Sequence, residues 1–69
     1  MNKIEAKEFL GYVKEGQLSL EKAANFLLAL EYTDQHKALR SMITELIATS
    51  ITDLEMPLIA QYPDLNPYG

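Results

Sequence analysis

His36 is the only imidazole in this chain, and cysteine is absent. It is therefore the one side chain whose ordinary pKa brings a charge change close to neutral pH. A nucleophilic centre needs a nucleophile, a base within hydrogen-bond reach and a group that orients the base. No serine stands near His36 in any recognised nucleophile signature. Glu5, Glu8 and Glu15 could supply an acid–base pair, but three glutamates on one helix more commonly form a solvated face. The glycines at positions 11, 16 and 69 stand apart, so no glycine-rich loop is available to cradle phosphate. One histidine without thiolates falls short of a zinc ligand set, and no loop clusters the carboxylates that calcium or magnesium requires. The expectation is a protein that is not an enzyme and holds no cofactor and no metal.

Charge narrows the partners. The net charge is −4, and its distribution is uneven. Residues 1–40 balance their acids and bases. Residues 41–69 carry Glu45, Asp53, Glu55 and Asp64 with no Lys or Arg. Such a surface repels phosphate backbones and suits a basic partner if it suits any charged one. Two helices spanning Leu18 to Ile47 could imitate a helix-turn-helix, with His36, Lys37 and Arg40 near the start of the second. Glu45 and the acid-only C-terminal part oppose that reading, because phosphate attraction dominates DNA affinity. The longest apolar run, Phe26 to Leu30, is far below the ~20 residues of a membrane span, and neither apolar helix carries the Lys/Arg-rich polar face of an interfacial helix. The N-terminus has no charged-then-apolar leader pattern. A cytoplasmic location with no membrane contact is the expectation.

The pattern of apolar residues is helical throughout. Asn2 with Glu5 forms a capping-box-like pair, and Ala6, Phe9, Leu10 and Val13 make a stripe that Gly16 should end. Ser19 reads as the next N-cap. The following body, Leu20, Ala23, Ala24, Phe26, Leu27, Leu28 and Leu30, spreads over an arc of roughly 200° at about 100° per residue. A stripe that wide suits a helix with two neighbours or a second chain. Thr33 or Asp34 should cap a third helix, whose Leu39, Met42, Ile43, Leu46 and Ile47 form the cleanest amphipathic pattern in the chain. Thr52 with Glu55 looks like another cap, and Pro57 favours a break or kink near 49–57 over a straight rod.

These signals predict an all-α fold, a small antiparallel bundle of three main helices at 3–15, 20–31 and 34–49. A short helical piece at 52–62 and an irregular Pro-containing tail at 63–69 complete it, with residues 1–62 as one domain. The expected core is Phe9, Leu10, Val13, Leu20, Leu27, Leu28, Leu39, Ile43, Leu46 and Ile47. A domain this short sits near the lower limit for folding alone, yet it carries more apolar helix surface than a minimal bundle hides. The expected function is protein–protein interaction, with a homodimer as the first form. Phe26, Leu30, Met42, Ile51, Leu54, Met56 and Tyr62 are the candidate interaction surface. An acidic adaptor or inhibitor that binds a basic protein surface, and a helix-turn-helix-like DNA-binding protein, are the alternatives.

Overall fold

A computed structural model describes residues 1–30 and 33–66. The expectations for Glu31, Tyr32 and the last three residues lie outside that range. The chain forms a helical hairpin. Helix α1 runs Lys3–Leu28 and α2 runs Asp34–Ser50. A π turn at Ile51–Glu55 continues α2 directly into α3, Met56–Gln61, and a 3-10 turn follows at Pro63–Leu65. The all-α class stands, but the three-helix bundle does not: the expected first and second helices are one.

The starts of both arms follow local chemistry. Asn2 Oδ1 accepts the Glu5 amide at 2.8 Å while Glu5 Oε1 accepts the Asn2 amide at 2.9 Å, a reciprocal capping box. Thr33 caps α2 by accepting the His36 amide through its hydroxyl at 3.1 Å. Gly16 does not stop α1. No glycine among the described residues has a positive φ, so Gly16 is helical and Ser19 is an interior residue, not a cap. A helical glycine costs about 1 kcal/mol relative to alanine, and apolar packing on both sides of position 16 outweighs that.

The packing is a two-helix seam with a seven-residue repeat. In α1 the residues shielded from solvent are Ala6, Leu10, Val13, Gln17, Leu20, Ala24 and Leu27. Their spacing alternates four and three, as in a coiled coil. In α2 the corresponding set is His36, Arg40, Ile43, Ile47 and Ser50, with the same alternation. Gln17 Nε2 donates to Ser50 Oγ at 2.9 Å across the seam.

The π turn then inserts one residue into the repeat. The Met56 amide reaches back five positions to the Ile51 carbonyl, and the next buried seam residue, Glu55, falls five after Ser50. The widened turn lies just ahead of Pro57, which has no amide and would crowd the carbonyl four residues back in a regular helix. The break or kink favoured from sequence is thus a continuous helix with a local change of hydrogen-bond register.

Residues at the start of α1 meet those that follow α3. Lys3 Nζ pairs with Asp64 Oδ2 at 2.6 Å, and the Tyr62 hydroxyl donates to the Met1 carbonyl.

The expected core is only partly a core. Leu10, Val13, Leu20, Leu27, Ile43 and Ile47 line the seam. Phe9, Leu28, Leu39 and Leu46 do not, and each is exposed. Ala6 is the single hydrophobic residue buried outright among those described, and no large side chain is fully enclosed. Two helices provide one shared face, so each arm keeps a second apolar flank in water.

Candidate interaction surface

The exposed flank has a regular construction. In α1, Phe9, Tyr12, Gly16, Ser19, Ala23 and Phe26 repeat at intervals of three and four, one position out of step with the seam. Residues so spaced lie on one side of a helix. In α2, Leu39, Met42, Leu46 and Thr49 repeat in the same way, again one position out of step. Both strips flank the same side of the hairpin, and grooves between the arms join them.

The larger groove, about 380 Å³, is walled by Ala23 and Phe26 of α1 and by Leu39, Met42 and Leu46 of α2, with Leu27 and Ile43 of the seam as its floor. A second groove of about 350 Å³ lies farther along, between Val13, Gly16 and Leu20 on one arm and Ser50 and Leu54 on the other. Leu54 reaches this side because the π turn adds one residue. In an uninterrupted repeat Asp53 would occupy the strip.

The flank is apolar and free of charge. Between Phe9 and Phe26 the α1 strip contains no carboxylate, lysine or arginine, and neither does the α2 strip from Leu39 to Thr49. Phe26 is 65% exposed, Met42 59% and Leu46 56%. The charged residues of α1 in this stretch, Lys14, Glu15, Glu21 and Lys22, occupy other faces. Gly16 fits the same picture: a Cβ built there meets nothing within 4 Å inside the chain.

The seven residues singled out from sequence separate. Phe26, Met42 and Leu54 line the open flank. Leu30 sits just beyond the end of α1, its amide donating to the Leu27 carbonyl at 3.2 Å, and is exposed. Ile51 is half-buried at the start of the π turn. Met56 is exposed but lines neither groove. Tyr62 is engaged with Met1 beyond the N-terminal cap. Sequence reasoning missed Phe9, Tyr12, Gly16, Leu39 and Leu46 as surface residues. The signal was the second seven-residue repeat, which overlaps the first and was absorbed into it as one broad stripe.

The chemistry-bearing residues are dispersed. Glu5 is held in the N-terminal cap, and Glu8 accepts the Tyr12 hydroxyl at 3.1 Å. His36 is half-buried at the start of α2. A small hollow of about 180 Å³ on the opposite side brings Lys14 and Glu55 beside Leu10, Gly11, Ile59 and Leu65. The carboxyl of Asp64 titrates below its ordinary value, because Lys3 donates a hydrogen bond to it and adds a favourable charge. Among the described residues no group of three His, Asp or Glu converges as a metal site, and no helix is long and apolar enough to cross a membrane. The chain matches no protein-family model, no curated protein and no solved structure in comparisons with all three.

Proposed function

We propose that this protein is a non-catalytic interaction module whose open apolar flank is covered by another protein surface. The charge-free double strip along one side of the hairpin carries this reading. Scattered exposed hydrophobic residues are normal on any protein, whereas contiguous apolar patches mark contact sites. Aromatic residues and methionine, here Phe9, Tyr12, Phe26 and Met42, are the types enriched at such sites. The same strip disfavours the two alternatives. It offers no carboxylate to a basic protein surface, and it offers no Lys or Arg to phosphate.

Methionine footprinting tests the reading. Met1, Met42 and Met56 are 64%, 59% and 56% exposed in the isolated chain, so uncovered they should oxidise at comparable rates. A covered flank protects Met42 selectively. Oxidation inside cells that express the chain should therefore spare Met42 relative to Met1 and Met56. Equal oxidation of all three would overturn the proposal.

A further inference from the structure

The occupant of the flank can be identified from its pattern. We infer that a second copy of this chain covers it, giving a four-helix bundle with a two-fold axis at Ser19 of α1 and between Leu46 and Thr49 of α2. The inference rests on the interaction reading above and names its partner.

Residue size along α1 supports the two-fold. A symmetric interface must be complementary to its own reverse, because each residue meets its counterpart across the axis. The α1 strip reads large, large, small, small, small, large: Phe9, Tyr12, Gly16, Ser19, Ala23, Phe26. Reversed about Ser19, Tyr12 meets Phe26 of the partner subunit and Gly16 meets Ala23 of the partner subunit. Phe9 then meets the partner subunit's Leu30, just past the helix end. Bulky residues fall against bulky ones, and the small residues cluster where two antiparallel helices approach most closely.

The second arm agrees without adjustment. The Gln17–Ser50 hydrogen bond fixes those residues at one height in the hairpin. Ser19 of the antiparallel arm therefore lies level with residue 48. An axis at that height pairs Leu46 with the partner's Thr49 and Met42 with the partner's Leu54. The residue inserted by the π turn makes the last contact apolar. Without it, Asp53 would face Met42.

Area and charge point the same way. A monomer of 7.8 kDa should expose roughly 4,400 Å² by the scaling of surface with mass, yet this chain exposes 5249 Å². Two molecules that each carry a net charge of −4 repel, and a strip without carboxylates lets them meet without placing like charges face to face.

Sedimentation and cross-linking test the assignment together. The purified chain should show twice its 7.8 kDa mass and dissociate only on dilution. Since the chain has no cysteine, Ser19→Cys introduces a lone thiol beside the axis, within the ~4.4–6.8 Å Cα separation that a disulfide spans. Mild oxidation should join two copies of Ser19→Cys rapidly, while Asn25→Cys, on another face of α1, stays largely unjoined. Ser19→Glu should weaken dimerisation by roughly a hundredfold, because it places like charges across the axis, and mixing it with Ser19→Lys should restore the dimer. A single-chain mass up to millimolar concentration would overturn the inference, as would a dimer that Ser19→Cys fails to cross-link. If Met42 is protected in cells but not in the purified chain at any concentration, the partner is a different protein. The interaction reading then survives and the homodimer does not.

Discussion

Gln17 and Ser50 form a polar link at the middle of an otherwise largely apolar seam, with Gln17 Nε2 donating to Ser50 Oγ at 2.9 Å. The serine hydroxyl is used twice, since it also donates to the Ile47 carbonyl at 2.7 Å. Gln17 is only 6% exposed, so its amide depends on this partner. A buried polar residue at a seam position commonly fixes register at some cost in stability. Here it sets which turn of α1 faces which turn of α2.

Ser50→Ala should therefore cost about 1–3 kcal/mol, the penalty of leaving a buried amide unsatisfied. In a domain of this size each kcal/mol corresponds to about 4–8 °C in Tm. Gln17→Leu should do the opposite, raising Tm while broadening the NMR lines of seam residues as the arms slip. Thermal melts by circular dichroism and a heteronuclear NMR spectrum decide both. A Ser50→Ala protein as stable as the parent would show that the amide finds another partner.

The two flanks should respond differently to truncation. Ile47→Ala removes packing from the seam and should destabilise the hairpin by about 2 kcal/mol, toward the low end for isoleucine because the site is only half-buried. Phe26→Ala removes a ring that is 65% exposed in the single chain. In the single chain it should change stability by less than about 0.5 kcal/mol, while abolishing the proposed self-association at higher concentration. Denaturant melts at two concentrations a hundredfold apart separate these effects.

Gly11 and Gly16 provide a matched pair. A Cβ meets nothing within 4 Å at either position inside the chain. Gly11→Ala should stabilise α1 by about 0.5–1 kcal/mol through reduced backbone entropy in the unfolded chain. Gly16→Ala should give a similar gain in the dilute monomer and less in the proposed dimer, which brings a partner helix close to this position. Equal gains at all concentrations would place Gly16 outside any interface.

The Lys3–Asp64 contact makes a pH prediction. The folded carboxyl titrates below its ordinary value, so the contact contributes above the ordinary carboxylate range. That contribution fades as pH falls through the depressed folded value. Both groups are largely exposed, so the effect on global stability should be small and screened by salt. The sensitive readout is local: the side-chain carbon shift of Asp64 should titrate below the ordinary carboxylate range, and Lys3→Gln should bring it back toward that range.

Much of the fold was legible in the residues. The capping pair Asn2–Glu5, the cap at Thr33 and the stripe through Ile43 and Ile47 all have local causes, and local causes are readable. Gly16 and Ser19 misled because both have good terminal chemistry. What overrides them is a seam continuing from Val13 through Gln17 to Leu20, and a glutamine in that seam hides the repeat from any count of apolar residues. The roughly 200° arc on the second half of α1 was visible, but in the hairpin only the part of it that forms the seam meets a neighbouring helix, and the rest is the exposed flank. Separating the two required the partner arm, because only pairing with α2 shows which positions are used within the chain. The π turn had a signal in Pro57, but the proline indicates a disturbance without indicating that one extra residue resolves it.

The contacts between Met1 and Tyr62 and between Lys3 and Asp64 bring residues 61 apart in sequence side by side. Anything attached near position 1 and anything attached near position 66 would consequently emerge from the same pole of the rod, leaving the tip around Ala29 and Thr33 unencumbered. Tension applied between those two attachment points would peel the ends apart one contact at a time, instead of shearing the long helices past each other. Single-molecule pulling from the ends should accordingly give a first opening at low force, with the rest of the hairpin following in sequence toward its tip.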